Sequence, residues 1–151
     1  MFTILEAPEF SADRQDIYRL RDDVSVLKNG HVYDAFIHGE HAGSVSVELS
    51  AETAVVSKLS VAKGHRASTS AYPLAVACIR DALKAGIRQL LLEAEPWLVS
   101  FYLRLGFRYC SKLANATRIL VLDLQDEHNL HKLGSLFLKD FPAPKASLLA
   151  A

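Results

Sequence analysis

The chain has 151 residues, half of them hydrophobic and 23% charged, which is the size and composition of one folded domain and excludes a long solenoid or a disordered protein. A core of this size buries roughly 70% of the unfolded surface without disulfide or metal staples. Seventeen basic residues balance 17 acidic ones, so the long-range attraction of a general nucleic-acid or anionic-membrane binder is missing, and neither partner is expected. Cys78 and Cys110 fall in a helical and a strand pattern, match no paired metal-ligand spacing, and read as reduced core thiols. The first residues carry no basic n-region, and the longest apolar run, 71–79, is far below the ~20 residues that span a bilayer. The expectation is a soluble, cytoplasmic protein.

In chain order, Ser11 opens a predicted helix over about 12–28, because Ile17, Leu20, Val24 and Leu27 repeat at helical spacing and Asn29-Gly30 supplies a stop. Val32–Gly39 and Ser44–Leu49 read as an antiparallel hairpin around the turn-rich 39–43. A third strand, about Thr53–Ala62, keeps Val55, Leu59 and Val61 on one face. The loop 63–70 leads into a helix over about 71–86, with Ser70 as N-cap, Pro73 at the third helical position and Gly86 as its stop. Gln89–Ala94 is a short buried strand, Pro96–Leu105 a helix ended by Gly106, and Arg108–Lys112 and Thr117–Leu124 the last strands. The final amphipathic helix, 128–140, carries Leu130, Leu133, Leu136 and Phe137, a stripe that must bury against the body, a twin subunit in a homodimer, or a ligand.

This order predicts one α/β (α+β) domain: a mixed, mostly antiparallel twisted sheet with helices on both faces and one strand–helix–strand crossover from Thr53 to Ala94. Residues 1–125 make the domain, and 126–151 form a helical extension and tail of it.

The crossover holds the first candidate for chemistry. A strand feeds a Gly/Ser/Thr loop that runs into a helix N-terminus, the arrangement in which unpaired N–H groups and the positive dipole end bind phosphate. Arg66 adds charge-assisted hydrogen bonds, and the hydroxyls of Ser68, Thr69 and Ser70 can donate. The plain alternative is a well-capped helix. Neither a P-loop lysine nor Gly-x-Gly-x-x-Gly occurs, which disfavours nucleoside triphosphates and dinucleotides. His38 and His41 flank a turn and His128 and His131 lie three apart, without carboxylate or thiol partners at ligand spacing, so no metal is expected. Trp97, Phe101 and Tyr102 read as core or pocket lining, because no basic patch accompanies them.

Arg66-Ala67-Ser68-Thr69-Ser70-Ala71 resembles the Arg/Gln-x-x-Gly-x-Gly/Ala loop of the GNAT superfamily of N-acetyltransferases, departing at the first glycine, where Thr69 stands. Phe101-Tyr102-Leu103-Arg104-Leu105-Gly106-Phe107 is similar to that superfamily's aromatic-Tyr-x-x-x-Gly-Phe signature. Over about 12–124 the resemblance implies a GNAT-like fold and acyl-CoA as co-substrate, acetyl-CoA or another short thioester. In the arrangement it implies, two strands splay around pantetheine, Leu59, Ser60 and Val61 present backbone groups to it, and residues 66–71 hold the pyrophosphate. Tyr102 takes the position of the thiolate's acid, against the plain alternative of a packed helix tyrosine. The acceptor would be a small-molecule or protein amine.

Glu48, Glu93 and Glu95 lie near the implied splay and are the candidates for a base, while Glu95-Pro96 stands where many members carry asparagine. A narrower resemblance runs through Ser57-Lys58-Leu59-Ser60-Val61, Arg66 and Leu122-Asp123-Leu124 to the acyl-carrier-protein-dependent N-acyl amino acid and homoserine-lactone synthases, which share the fold. Val55 stands where those enzymes have an acidic residue, which favours a short-acyl donor. The departures at Thr69 and Glu95 leave a non-catalytic acyl-CoA-binding module as the alternative from another class.

Overall fold

The computed structural model describes residues 15–20, 23–50, 52–112, 117–131 and 133. Five strands run as an antiparallel meander: β1 (Gln15–Arg19), β2 (Val24–Asn29), β3 (Val32–Ile37), β4 (Glu40–Ser50) and β5 (Thr53–Val61). The helix α1 (Ala67–Ala85) crosses back so that β6 (Gln89–Ala94) lies parallel to β5. A 3-10 turn at Pro96–Leu98, α2 (Val99–Arg104), β7 (Arg108–Lys112) and β8 (Arg118–Asp123) complete a sheet ordered β1-β2-β3-β4-β5-β6-β8-β7. The expected mixed, mostly antiparallel α/β architecture is therefore what forms.

The helix expected over 12–28 is corrected wherever its residues are described. Residues 15–19 and 24–29 are paired strands, joined through a turn in which Asp23 has φ 58°. Ile17, Leu20, Val24 and Leu27 do repeat at helical spacing, but the buried residues here are Tyr18, Val26 and Lys28, which follow strand alternation, and Ile17 is 57% exposed. A non-local contact decides between the two periods. The hydroxyls of Tyr18 and Tyr33, on β1 and β3, both donate to the buried Asp81 carboxylate on α1. Arg80 stacks over the Tyr18 ring at 5.0 Å, and the buried Lys28 lies over Tyr33 at 5.9 Å.

The β3–β4 hairpin is tighter than expected. His38 and Gly39, with φ 51° and 81°, make a two-residue turn whose backbone twist matches that of the strands. The helix after the loop starts four residues early, at Ala67, with Arg66 in the extended N-cap position. Ser70 is thus inside the first turn rather than its cap. Its hydroxyl is used elsewhere, donating to the Ala42 carbonyl at 2.9 Å. Pro73 consequently falls in the helix interior, where it leaves one carbonyl of the ladder without its N–H donor. The stop is as expected: Gly86 has φ 76° and its N–H reaches the Ala82 and Leu83 carbonyls.

Alternation gives the sheet two unlike faces. Tyr33, Val47, Val56, Leu90, Leu92, Leu120 and Leu122 are buried on the side that α1 covers. Gly106, just past α2, also lies against Leu122 on that side. On the opposite face Ser46, Val55, Leu91 and Glu93 are half-buried, Glu48 is exposed and Val32 is 43% exposed. Asp126 caps a helical turn at 127–131 by accepting the N–H of His128 at 2.8 Å. Beyond 131, Leu133 of the expected 128–140 stripe is described and is buried in the core; the other residues of that helix, and the tail, lie outside the described residues. Among the described residues no helix is long and apolar enough to cross a membrane.

Candidate functional site

The parallel pairing of β5 with β6 runs from Thr53/Gln89 to Val56/Leu92 and stops there, although β5 continues to Val61 and β6 to Ala94. The cause is local. Between Ser57 and Ser60, β5 takes three steps while β4 takes two, from Ser46 to Ser44, so the extra residue bulges and bends β5 out of line with β6. Beyond Val56 the β6-facing edge of β5 therefore has no ladder partner. Leu59, Ser60 and Val61 lie on this parted stretch, Ser60 exposed and the other two packed partly against the core.

From Val61 the chain turns through Gly64, at φ 90°, and enters α1 within six residues. The first intrahelical bond runs from the Ser70 N–H to the Arg66 carbonyl at 3.1 Å, which leaves the N–H groups of Ala67, Ser68 and Thr69 as the free donors of the helix start. No acidic residue stands in that first turn, and Arg66 and Thr69 are exposed beside it. Thr69 is not among the residues with positive φ, so the turn asks nothing there that only glycine could supply. Ser70 and Ala71 are buried, with the Ser70 hydroxyl committed to Ala42. The structure thus brings 59–61 and 66–69 to one end of the sheet and points the side chains of Ser70 and Ala71 into the body.

Tyr102 is 3% exposed on α2, with its ring edge-on to Phe101 at 5.1 Å and Phe107 at 5.7 Å. Tyr72 on α1 meets Phe101 at 6.5 Å, so an aromatic row ties the two helices together. Burial pushes the Tyr102 hydroxyl well above the usual tyrosine range, and the neighbouring Cys78 thiol adds to the shift. Among the described residues its hydroxyl makes no hydrogen bond. Glu93 follows Leu92 on the face opposite α1, level with Ser57 at the point of parting, while Glu48 and Glu95 are exposed.

Sequence reasoning missed Gly43, which it placed in a turn. Gly43 sits on β4 where a Cβ would lie 2.7 Å from the Ser60 carbonyl oxygen and 3.1 Å from Ser70 Cβ. Only a residue without a side chain lets β4, β5 and the start of α1 meet this closely. No local signal marks it, because the neighbours that need the space are 17 and 27 residues away. A polar hollow of about 260 Å³ lies at the other end of the β5–β6 pair, lined by Glu52, Thr53, Arg88, Gln89, Asp123 and Gln125. Arg88 fills it with bonds to Glu52 and Gln125 at 3.0 and 3.1 Å. Among the described residues no cluster of three metal-ligating side chains occurs.

No protein-family model matches the chain, and no curated protein does. Solved structures do. The PaiA N-acetyltransferase of Thermoplasma acidophilum, in complex with coenzyme A, superposes with a TM-score of 0.51 at 18% identity, over 61% of this chain and 59% of that one. The fold is the GNAT fold. N-acetylglutamate synthase of Neisseria gonorrhoeae, complexed with coenzyme A and N-acetyl-glutamate, matches at 0.51 and 17%, over 63% of this chain and 26% of that one. An acetyltransferase of Streptococcus agalactiae matches at 0.50 and 17%, over 62% and 66%. The chain thus spans between about a quarter and two thirds of these GNAT-fold proteins.

Proposed function

We propose that the protein is an N-acyltransferase that moves an acetyl or other short acyl group from acyl-CoA to a primary amine. One observation carries the reading: β5 parts from β6 after Val56 and delivers the chain directly to a helix start with free N–H groups and no acidic residue in its first turn. These groups fit the co-substrate. The open edge of 57–61 offers backbone hydrogen bonds to the amide-bearing pantetheine arm, and Ala67, Ser68 and Thr69 with Arg66 offer N–H donors and charge to the pyrophosphate.

The donor brings an already activated thioester, so aligning an amine against it supplies much of the rate. The amine nitrogen bonds to the carbonyl carbon, the C–S bond breaks, the nitrogen loses a proton and the sulfur gains one. Tyr102 gives the proton to sulfur, since its burial keeps the hydroxyl protonated at neutral pH. Glu93 receives the proton from nitrogen: of the three candidate carboxylates it is the half-buried one, and it stands where the strands part. Tyr102 and Glu93 approach from opposite faces of the sheet, which keeps the two proton transfers apart.

Calorimetric titration with CoA tests the reading. Arg66→Ala is expected to weaken binding by about 1.5–3 kcal/mol, the range for a hydrogen bond to a charged group. No heat with the parent protein, or the same affinity in the variant, removes the donor assignment. Turnover confined to long-chain acyl-carrier-protein thioesters would place the protein with the synthase-like branch, and CoA binding without turnover on any amine would make it a binding module.

A further inference from the structure

One carbonyl on β4 holds together two parts of the molecule that the donor has to bridge. The Ala42 oxygen accepts the Ala62 N–H at 2.9 Å and the Ser70 hydroxyl at 2.9 Å, which occupies both of its lone pairs. The first bond belongs to the sheet: Gly43 pairs with Val61, and Ala62 carries the β4–β5 ladder one residue further. The second comes from α1. Ser70 is fully buried, its N–H closes the first helical turn on the Arg66 carbonyl, and its hydroxyl turns inward to β4. Ala42 therefore ties the end of the 57–61 edge to the beginning of the helix.

Neither partner requires this bond for its own sake. The cap position of α1 is taken by Arg66, and without Ser70 the Ala42 oxygen still accepts from Ala62. A small apolar residue at 70 would leave no carbonyl of this junction orphaned. What the hydroxyl adds is a fixed position. Gly43 shows how close the parts come, since a Cβ there would meet both the Ser60 carbonyl oxygen and Ser70 Cβ. The loop has a second tie, from His65 Nε2 to Glu40 at 3.4 Å, but the Glu40 side chain is 78% exposed, and a contact so open to water holds little.

We infer that Ser70 is a positioning residue for the acyl-CoA donor: its bond to Ala42 sets the spacing between the strand edge that takes the pantetheine arm and the N–H groups of 67–69 that take the pyrophosphate. The inference rests on the proposed donor site and adds to it a residue that touches no ligand. Two sites on one ligand reinforce each other when their spacing matches the span between the groups they bind. The tolerance is small, about 0.5 Å in well-made sites. With the bond in place the helix start is fixed before the donor arrives, so binding does not have to order it. Without it, α1 keeps its packing against the sheet, but its first turn loses the tie that registers it against β5.

The test is calorimetric titration of Ser70→Ala with CoA and with pantetheine, which lacks the pyrophosphate and nucleotide, alongside thiol release from acetyl-CoA over a panel of primary amines. CoA affinity is expected to fall and KM for acetyl-CoA to rise by about five- to tenfold, the worth of one hydrogen bond, with kcat at saturating acetyl-CoA unchanged. Pantetheine should bind parent and variant alike, whereas a general loosening of the fold would weaken both ligands. Ser70→Cys, close in shape but a weak donor, should show the same pattern to a smaller degree, and it decides the matter if thermal melts find Ser70→Ala unfolded. Glu40→Gln should match the parent. Unchanged CoA affinity in a folded Ser70 variant, or equal losses for CoA and pantetheine, overturns the inference and leaves the donor reading standing. A loss in Glu40→Gln as large as that in Ser70→Ala overturns the assignment to Ser70. A parent protein that gives no heat with CoA removes the donor reading, and this inference with it.

Discussion

The two ends of the β5–β6 pair are built from the same strands and do opposite things. At the Thr53/Gln89 end the strands are hydrogen-bonded, and Arg88 locks them to the loops around them: its N–H to the Glu52 carbonyl, its guanidinium to Glu52 and Gln125. At the Val56/Leu92 end they separate, β5 runs on through Val61 to the start of α1, and Glu93 stands half-buried on β6 just past the last pair. A single extra residue on β5 makes the difference, by turning a continuous ladder into one with a loose end. Polar groups at the locked end satisfy one another. The parted end lies at the carboxyl ends of the parallel strands, where open α/β sheets as a rule bind ligands and where the proposed donor site is placed.

The largest effect expected from breaking this contrast is chemical. Tyr102→Phe should lower turnover by about 10²–10⁴, the usual worth of general acid–base catalysis, with CoA affinity nearly intact. Normal turnover in the variant would reduce Tyr102 to a packing residue, and a parallel loss of CoA affinity would mean that the aromatic row had shifted. Next in size is Gly43→Ala. The added methyl group has backbone on one side and Ser70 on the other, so β5 or the start of α1 must move. A loss of about 1–3 kcal/mol in stability is expected from such overpacking, with CoA binding weakened in the same variant. Chemical denaturation and CoA titration of one preparation would check both; a variant with unchanged CoA affinity would show that the close approach does not shape the cleft. Smallest is Arg88→Ala at the locked end. Its exposed ion pair is worth about 0.2–1 kcal/mol, so a slightly lower Tm is expected with no change in CoA titration. A large change in CoA affinity would show that the two ends are coupled.

The parted end was more legible in the sequence than its cause. The strand, loop and helix from Thr53 to Ala85, and the segment around Tyr102, are encoded by local signals: alternation, small residues along α1, and glycine stops at Gly86 and Gly106. The bulge in β5 and the need for Gly43 arise between strands, and no window of neighbouring residues contains them. Ser70 was misread as a cap because a serine before an apolar run has two uses, and the one taken here depends on Ala42. Residues 15–29 were misread for a related reason. Their apolar spacing fits a helix, and the choice of strands turns on Asp81, far away on α1.

That last contact has a consequence for how the chain comes together. Tyr18 and Tyr33 are separated from Asp81 by 63 and 48 residues, so the first three strands cannot satisfy their buried hydroxyls until α1 has been made and docked. During synthesis the N-terminal meander must wait, with its inner face open, for a helix that emerges later. Contacts of such long sequence separation slow folding. The strands that leave the ribosome first are therefore secured only after a helix that leaves it later.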